Sequence, residues 1–578
     1  MNEGVNSADG IVYEGVNASD GVGIGVARVA VEPDLSFTPH APADAQAEKE
    51  RYEAAVAKFI EQTNAQIDRM TETVGPEAAA IMGAHIEFAE DEGIKEMVNR
   101  SIESGKCAEQ SVSEAYDMYY NMFSNMEDEL FRERAADVAD VKTGLLADLL
   151  GQELIDLSTL PENSVVIVHE LTPSMTADID KNNVVAIVTE TGGRTSHSAI
   201  IARALEIPAV LSVPDATKNI KTGDMVVVDG EKGKVLPKPD DRKLRHYRNK
   251  AKQYAAEKLA LEAYRGKETL TADGEKKLLV ANIGNPDDAN VAAEHDCEGV
   301  GLFRSEFLFM DAKELPSEDE QFAAYQKVAL CMKDQPVIIR TLDVGGDKEI
   351  PYLDLAKEEN PFLGYRAVRY CLNNPEQYKV QLTALLRASA FGDIKIMVPL
   401  VTTVDEIRQV KDLVKECMRE LDERGVSYNK DIEVGTMIET PAASLIAEDL
   451  AEECDFFSIG TNDLIGYTMC ADRGNDKVSY LYEVYQPAVI RSLKRIIEAG
   501  SKAGIMVGMC GEAAADPLLI PVLISFGLDE FSVSAPSILR TRRIISEWTR
   551  EECDALAAKV VKLKTATEVK AMLQAAAK

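Results

Sequence analysis

A histidine that follows a glycine pair is the first place in this sequence where chemistry is expected. The run VVAIVTETGGRTSHSAIIARAL predicts a strand, a turn at Gly192 and Gly193, and a helix that begins near His197. Glycine lets the backbone approach a ligand closely, and a helix N-terminus presents free N–H groups to an anion. A neutral imidazole offers a nucleophilic nitrogen at neutral pH. The segment therefore predicts a phosphohistidine at His197, and the alternative is an ordinary strand-to-helix turn. Nearby donors are Arg194, Thr195 and Ser196.

A second group of reactive residue types occurs in the second half of the chain, near the ends of apolar runs. Guanidinium groups bind phosphate through paired hydrogen bonds, and carboxylate oxygens are the ligands that Mg²⁺ prefers. Taken singly, each arginine is more often a surface charge and each acid a salt bridge at the barrel end, so the hypothesis depends on their joint position. The candidates are Arg304, Arg340 and Arg473 for an anionic phosphate compound, Asn462 as a further donor, and Glu439 and Asp463 for Mg²⁺.

A cysteine completes this second group. Cys510 follows an apolar strand run in GMCGE, and the neighbouring Gly508 and Gly511 leave room for a ligand to approach the backbone. A thiol in such a place is a competent general acid. The alternative, a buried cysteine that serves as a small hydrophobic residue, is the interpretation we give to Cys297 and Cys331.

Two kinds of periodicity predict the elements that position these residues. Short apolar runs in 1–35 and 155–240 predict a small α/β domain, and apolar residues three and four apart in 36–154 predict a helical bundle inserted into it. The charged segment 241–268 predicts an exposed linker helix. Residues 269–578 hold roughly eight strand–helix units, which predicts a (β/α)₈ barrel with its active site at the C-terminal ends of the strands. A doubly wound open sheet is the alternative.

The composition limits the classes of partner and the compartment. The chain has 578 residues, of which 46% are hydrophobic, so that several folded domains are expected. A formal net charge of −35 disfavours nucleic acid and anionic membranes as partners and favours a basic protein. The nine cysteines form no C-x-x-C pair and no metal-ligand spacing. The start MNEGVNSADG is unlike a secretory leader and no apolar run is long enough for a membrane span, so the expected location is the cytoplasm.

Both reactive groups resemble motifs of known enzymes. GGRTSHSAIIAR resembles the phosphohistidine signature shared by Enzyme I of the sugar phosphotransferase system, pyruvate phosphate dikinase and phosphoenolpyruvate synthase. Further motifs resemble the barrel motifs of the Enzyme I family in order and spacing, so the resemblance covers nearly the whole chain. The family usually has Thr where Ser305 stands, a larger polar residue at Gly466, and Pro at Val484. The barrel motifs are GLFRSEFLFM, RTLDVGGDK, ENPFLGYRAVR, MIETPAA, FFSIGTNDL, DRGN and GMCGEAA.

The resemblance implies an enzyme that carries a phosphoryl group in two steps. It implies that phosphoenolpyruvate phosphorylates His197, that pyruvate is released, and that His197 phosphorylates HPr, a small histidine-containing carrier protein. It also implies Mg²⁺ as cofactor and a homodimer through the barrel. By the family pattern, Arg304, Arg340, Asn462 and Arg473 bind phosphoenolpyruvate, Glu439 and Asp463 hold Mg²⁺, Cys510 protonates enolpyruvate, and Lys348 and Arg366 support the site.

The resemblance further implies that the helical block docks HPr. Its segment 75–93 mixes apolar and acidic residues, which a helix-bundle core with a solvated face would explain equally well. Arg134 and Asp137 match family positions near the phosphohistidine, and Asp137 is expected to orient His197 through the second ring nitrogen. The candidate contacts with HPr are Ile81, Met82, His85, Ile86, Phe88 and Glu92.

Three alternatives stand beside this hypothesis. A dikinase or synthase would share both reactive groups, but it requires an ATP-binding module, and the sequence has no G-x-x-x-x-G-K-[ST] motif and few residues ahead of the histidine domain. A nitrogen-regulatory relative is expected to carry a sensory domain ahead of residue 1. A catalytically silent regulatory protein is disfavoured by the intact set of His197, arginines and acids.

Overall fold

The computed structural model divides the chain into two compact units, Met1–Lys258 and Leu259–Lys578. It describes residues 12–30, 35–42, 44–73, 76–124, 129–152, 157, 160–171, 175, 179–180, 182–193, 197–310, 312, 314–345, 350–353, 355, 358–472, 475 and 477–578. Within these ranges the description leaves out the side chains at 69–73, 76–81, 129–133, 136, 197, 200, 204 and 351.

A mixed sheet forms one layer of the first unit. Its strands are β1 (Tyr13–Glu14), β2 (Val16–Ser19), β3 (Val22–Val29), β4 (Ser164–Val168), β5 (Val184–Thr189), β6 (Ala209–Leu211), β7 (Met225–Asp229) and β8 (Lys234–Pro237). The strand order is β1-β8-β7-β3-β4-β5-β6-β2, and β3, β4, β5 and β6 run parallel. Every residue of β4 is buried, as expected for a parallel strand that is covered on both faces.

A helical bundle lies between β3 and β4 in the sequence. Its helices are α1 (Ala45–Thr73), α2 (Pro76–Glu90), α3 (Glu92–Glu103), α4 (Ala108–Ser124) and α5 (Glu129–Leu150). The spacing of apolar residues explains why they pack: α3 starts where the Asp91 side chain accepts a hydrogen bond from the Ile94 N–H at 2.8 Å, and it buries Ile94, Val98 and Ile102 on one face. The predicted α/β domain with an inserted helical bundle is confirmed.

Among the described residues, three further helices belong to the first unit or lead out of it. They are α6 (His197–Ala204), α7 (Ala216–Asn219) and α8 (Asp241–Glu262). None of the residues of α8, all of which are described, is buried. This long helix therefore receives little stabilisation from packing and depends on its own hydrogen bonds and side-chain pairs.

Parallel strands close into a barrel in the second unit. They are β9 (Leu278–Ile283), β10 (Val300–Arg304), β11 (Val337–Arg340), β12 (Ile394–Val398), β13 (Val434–Ile438), β14 (Phe456–Ile459), β15 (Met506–Met509) and β16 (Glu530–Val533). Each pairs in parallel with the next, and β16 returns to β9. The predicted (β/α)₈ barrel is confirmed, and the closure excludes the open doubly wound sheet.

Helices surround the barrel. They are α9 (Asp288–Glu294), α10 (Glu306–Met310), α11 (Glu318–Met332), α12 (Val368–Asn373), α13 (Pro375–Ala388), α14 (Val404–Arg424), α15 (Pro441–Leu445), α16 (Ala447–Ala451), α17 (Thr461–Met469), α18 (Pro487–Ala503), α19 (Ile520–Phe526), α20 (Ile538–Ser546), α21 (Arg550–Val560) and α22 (Ala566–Ala576). Short 3₁₀ turns lie at Pro351–Leu353, Pro361–Leu363, Ser479–Leu481, Glu512–Ala515 and Ala535–Ser537. In the described part of the chain, no helix has the length and apolar character that a membrane span needs.

The barrel interior contains a small apolar cluster that includes Leu302, Ile338, Met437 and Phe456. Above it, the C-terminal ends of the strands form one rim. Arg304 and Arg340 are the last residues of β10 and β11, so the strands themselves deliver these two side chains to the rim.

Glu530 lies in the interior at the opposite end of the barrel, where it opens β16. It is fully buried, and neither carboxylate oxygen has a hydrogen-bond partner among the described residues. Burial raises the pKa of Glu530 to about 7, while Lys395 opposes the rise and Asp529 adds to it. Folding therefore holds this carboxyl protonated at a pH where the unfolded chain releases the proton.

The stability of the barrel should therefore fall as Glu530 ionises. Because the pKa is higher in the folded state, rising pH favours unfolding from the ordinary glutamate pKa of about 4.3 up to about 7. We expect the unfolding temperature of Glu530→Gln minus that of the wild type, both measured by calorimetry, to increase between about pH 5 and 7. Above about pH 7 this difference should stay constant. A difference that is constant over this range would contradict the assignment.

Candidate active site

The glycine loop between β5 and α6 is anchored on both sides. Gly192 has φ = +99°, a left-handed conformation that favours glycine, and its carbonyl accepts a hydrogen bond from the Ser212 hydroxyl at 2.7 Å. Glu190 accepts from the backbone N–H of Thr217 at 2.8 Å and lies 2.7 Å from Nδ1 of His169. These contacts fix the path of the chain at Glu190 and Gly192, between β5 and the helix that His197 begins.

The start of α6 is also tied to the neighbouring segment. The buried Ser198 hydroxyl donates to the Leu171 carbonyl at 3.0 Å. Gly193 is exposed, and a Cβ there would meet no described atom within 4 Å. The predicted donors Arg194, Thr195 and Ser196 and the His197 side chain lie outside the described residues.

A cavity of about 130 Å³ opens at the C-terminal rim of the barrel. Its walls include most of the residues predicted to bind substrate and metal, together with acidic residues and an arginine near them. The polar residues that line it are Arg304, Glu306, Arg340, Asp343, Arg366, Glu439, Asn462, Asp463 and Cys510. Arg473 and Lys348, predicted for the same site, lie outside the described residues.

Two buried arginines share the acidic residues of this cavity. Arg340 donates to Glu306 and lies 3.1 Å from Asp343 through Nη1. Arg366 donates to Asp343 at 2.8 Å and lies 3.5 Å from Asp463. The sequence interpretation included Arg366 as a supporting residue but missed Glu306 and Asp343, whose only signal was their place in the two motifs that contain Arg304 and Arg340.

The charge balance fixes the ionisation of these arginines. Burial acts to lower the pKa of Arg340, but the carboxylates of Glu306, Asp343 and Glu439 overcome this effect and raise the pKa. The same holds for Arg366, whose pKa Asp343 and Asp463 raise. Both guanidinium groups are therefore permanently charged and buried, and a charge in a buried site acts strongly on an anion.

Glu439 follows β13 in a cavity whose lining has more acidic side chains than arginines. One of its oxygens accepts a hydrogen bond from the Leu400 N–H at 2.7 Å. Burial raises the pKa of Glu439 to about 8, and repulsion from Asp463 and Asp343 adds to the rise, although Arg340 and Arg366 oppose it. A Cβ at Gly460 would lie 2.6 Å from Oε2 of Glu439, so the absence of a side chain there keeps this oxygen accessible. The carboxylates would be stabilised by a further cation.

Magnesium fits the residues that are present. Within the described ranges, no cluster of three or more His, Cys, Asp or Glu side chains forms a complete metal cage. Mg²⁺ does not need one, since it is usually held by one or two carboxylates and completes its shell with water and substrate phosphate oxygens. Glu439 and the partly exposed Asp463 provide such a pair. The neighbouring Gly466 could carry a Cβ, which would lie 3.4 Å from the Ala471 carbonyl oxygen.

Cys510 closes the cavity from the end of β15. It is 4% exposed, and its thiol lies 3.8 Å from the Ile459 carbonyl. Burial raises the pKa of Cys510 to about 11, although Ser458 and Arg340 lower it. The thiol is therefore protonated at neutral pH and can donate a proton. Asn282 holds the Cys510 carbonyl through a hydrogen bond of 3.1 Å.

Asn462 lies at the start of α17, and its position is fixed through the backbone. Its carbonyl accepts a hydrogen bond from the Tyr482 hydroxyl at 2.9 Å. The side chain lines the cavity beside Asp463, where an amide can donate to an anionic oxygen.

The helical bundle places several predicted residues in its interior. Asp137 is buried, and its described partners are His85, at 3.5 Å from Nε2, and Arg134, at 3.5 Å. Met82 and His85 are fully buried, so a docked protein cannot touch them, and these two candidates for partner contact are corrected to packing residues. The sequence did not indicate that these two side chains are buried, because α2 has small and apolar residues on several faces.

The surface of the bundle keeps other candidates and adds new ones. Ile86 and Phe88 are half-buried, Glu92 is exposed, and the Ile81 side chain is not described. The sequence analysis missed exposed apolar side chains on α4. Met118 and Met122, one helical turn apart, are 51% and 44% exposed, and Tyr120, on a different face, is 40% exposed. The rings of Phe88 and Phe123 pack edge to face at 5.7 Å, so α2 and α4 are in contact near their C-terminal ends. The signal for these exposed side chains was the Met- and Tyr-rich run DMYYNMF.

Comparison with known proteins places the chain beside enzymes that use phosphoenolpyruvate. Three family models match it: the N-terminal domain of such enzymes over residues 14–134, the mobile domain over 160–233, and the phosphoenolpyruvate-binding domain over 258–550. Three similar relatives are named phosphoenolpyruvate-protein phosphotransferase. Those of Bacillus sp. (strain S) and Geobacillus stearothermophilus are each 46% identical over 96% of this chain and 96% of their own length. That of Staphylococcus carnosus (strain TM300) is 44% identical over 96% of this chain and 97% of its own.

Proposed function

We propose a route for the phosphoryl group through this chain, which belongs to the phosphoenolpyruvate-protein phosphotransferase family. The activity is the transfer of a phosphoryl group from phosphoenolpyruvate to protein, as the first enzyme of a sugar phosphotransferase system. In the proposed route, His197 receives the phosphoryl group, pyruvate leaves, and the histidine of HPr is the next acceptor. The observation that carries the proposal is the cavity that unites Arg304, Arg340, Glu439 and Cys510 at the barrel rim.

Substrate capture is proposed to use the cationic part of the cavity. Phosphoenolpyruvate carries a phosphate and a carboxylate, and Arg304, Arg340 and Asn462 offer hydrogen-bond donors to such an anion. Glu439 and Asp463 are the residues that would hold Mg²⁺, which when bound supplies charge to the phosphoryl and enolate oxygens. Its binding would also favour the ionised form of Glu439, whose pKa burial raises to about 8.

The chemical step then breaks two bonds, P–O and S–H, and forms two, N–P and C–H. A ring nitrogen of His197 attacks phosphorus, and the P–O bond to the enolate oxygen breaks, with its electron pair going to that oxygen. The terminal carbon of enolpyruvate takes the proton of the Cys510 thiol and becomes the methyl group of pyruvate. The thiolate left behind is stabilised by the nearby Arg340 and Arg304, which lower its pKa, and is protonated again by solvent.

The alternatives are weaker than this route. A pyruvate phosphate dikinase or phosphoenolpyruvate synthase, or a silent regulatory protein, would share the reactive groups. The relatives that match along nearly their full length are named phosphoenolpyruvate-protein phosphotransferases, and this favours the protein as acceptor.

HPr is proposed to dock on the surface of the helical bundle to which α2, α3 and α4 contribute. Phe88 and Ile86 of α2, Glu92 of α3, and Met118 and Met122 of α4 offer apolar groups and an acid to a partner. Exposed methionines suit a protein contact because their side chains adapt in shape. The net charge of −35 would steer a partner that carries a basic patch.

We assign the steps to separate parts of the chain. Residues 1–35 and 155–240 carry the phosphohistidine, 36–154 dock HPr, 241–268 link, and 269–578 bind phosphoenolpyruvate and dimerise, as in the family pattern. His197 must serve two reaction partners, and reacting atoms have to approach to about 3–3.5 Å, so the linker is proposed to permit rearrangement.

All nine cysteines are free thiols, which supports a reducing cytoplasm as the location.

The test of the proposal is a labelling experiment on the full-length protein. Incubation with phosphoenolpyruvate labelled at phosphorus should give a protein-bound label that is stable to base and labile to acid, and a chelator should prevent it. Addition of HPr should move the label to HPr. A folded protein that takes no label under these conditions would refute the proposal.

Replacement of Cys510 by alanine should separate phosphoryl transfer from ketonisation. The arginines and carboxylates remain, so His197 should still be phosphorylated in part, whereas pyruvate formation on the enzyme should slow by about 10²-fold. Single-turnover measurement of label and pyruvate distinguishes the two steps. Cys417→Ala removes another buried thiol, which contacts the Lys379 carbonyl and does not line the cavity, and should change neither. Unchanged pyruvate formation in Cys510→Ala would show that another acid donates.

A further inference from the structure

Gln381 on α13 joins the strand ends that carry two arginines of the cavity. Its side chain is 2% exposed. The amide nitrogen donates to the Ser305 hydroxyl at 3.0 Å, and the amide oxygen accepts from the Leu342 N–H at 2.9 Å. Ser305 follows Arg304, and its hydroxyl donates to the Arg340 carbonyl at 2.6 Å. One side chain of the helix layer therefore connects the ends of β10 and β11.

The surrounding bonds leave this amide a single orientation. Its second N–H donates to the Tyr325 hydroxyl at 3.1 Å, and that hydroxyl donates to Gln321 at 3.2 Å. The Leu342 N–H can only donate, so the oxygen of Gln381 has to face it and the nitrogen has to face Ser305. Both amide hydrogens and the oxygen are then used. A buried polar network in which every group is satisfied specifies one geometry.

We propose that Gln381 is a positioning residue for phosphoenolpyruvate, and that through Ser305 it sets the separation of Arg304 and Arg340. The inference rests on the proposed function, because it takes these arginines to bind the substrate. The protein groups that donate hydrogen bonds to the substrate must be held in place before the reaction, and a displacement of such a group by about 1 Å can reduce the rate on the order of 10²-fold. The hydroxyl is the feature required at position 305, and threonine would supply it equally.

Full-length variants can separate positioning from stability. Ser305→Ala removes the hydroxyl, Ser305→Thr keeps it, and Gln381→Leu removes both bonds to the strand ends. Ser389→Ala is the matched control, because this buried hydroxyl accepts from the Asn429 N–H at 2.9 Å and contacts no residue of the cavity among its described partners. The readouts are KM and kcat with phosphoenolpyruvate, and the rise in unfolding temperature that phosphoenolpyruvate with Mg²⁺ produces.

We expect Ser305→Ala and Gln381→Leu to raise KM for phosphoenolpyruvate by about tenfold or more and to reduce the ligand-induced rise in unfolding temperature. Ser305→Thr should restore both, and Ser389→Ala should lower the ligand-free unfolding temperature alone. If Ser305→Ala destabilises the protein but keeps KM and the ligand-induced rise, the role is structural and the proposal is overturned. Should Gln381→Leu fail to fold, the two Ser305 variants decide. A wild type that shows no ligand-induced rise would instead overturn the phosphoenolpyruvate site, and this inference with it.

Discussion

Replacement of His197 by alanine should abolish the transfer of phosphorus from phosphoenolpyruvate to the protein. His197 begins α6, and in the chain that precedes it Ser212 holds Gly192 and Thr217 holds Glu190 through hydrogen bonds. Removal of an enzyme nucleophile reduces the rate on the order of 10⁶-fold in well-studied cases, because other groups bind the substrate but cannot take its place. Acid-labile label on the protein, measured after incubation with labelled phosphoenolpyruvate, should fall to background.

His169→Ala is the matched control for this variant. His169 is exposed beside the same loop and lies 2.7 Å from Glu190, so its removal disturbs the loop without removing the proposed acceptor. This variant should keep the label, at a reduced rate. Full labelling of His197→Ala would mean that another histidine accepts the phosphoryl group and would refute the assignment.

Arg340→Lys should cause the next largest loss, although it keeps the positive charge. The guanidinium of Arg340 contacts Glu306 and Asp343 at once, and a lysine ammonium cannot reproduce two directed contacts and still present donors to a phosphate. We expect kcat/KM for phosphoenolpyruvate to fall by about 10²–10³-fold, the range that follows loss of a donor to a developing charge. Steady-state kinetics with HPr as acceptor measures it.

Arg542→Lys separates this catalytic effect from the cost of disturbing a buried arginine. Arg542 is 2% exposed and donates to Thr269 at 3.1 Å and to the Asp296 carbonyl at 2.7 Å, outside the cavity. Its replacement should lower the unfolding temperature and leave kcat/KM nearly unchanged. Equal kinetic losses in the two variants would show that Arg340 acts through stability alone.

The strand ends account for what the sequence could predict about the barrel site. Arg304, Glu439 and Cys510 each follow an apolar run, and parallel strands bring such positions to one rim, so period and residue type were sufficient to group them. Their counter-charges were not predictable in this way. Glu306 and Asp343 contact Arg340 because of side-chain directions that the spacing of acids along the chain does not specify.

The helical bundle shows the limit of periodicity more directly. The sequence predicts α3 well, because Asp91 marks its start and Ile94, Val98 and Ile102 form one apolar face. In α2, by contrast, alanines and large apolar residues occur on more than one face, so periodicity gave no means to place Met82 and His85 inside. Gln381 was missed for a different reason, since a glutamine in a helix gives no sign of partners that lie 39 and 76 residues away.

The place of the helical bundle between two paired strands also affects how the protein is made. β3 ends at Val29, but its neighbours β4 and β7 end at Val168 and Asp229, whereas the bundle is complete once Leu150 has been synthesised. At a synthesis rate of about 5–20 residues per second, roughly 10–40 s separate the synthesis of β3 from that of its last neighbour, β7. The local contacts of the helices form within milliseconds. A ribosome-bound chain therefore passes through a stage with a folded bundle and an unpaired strand edge, which is open to pairing with other chains until synthesis of the sheet is complete.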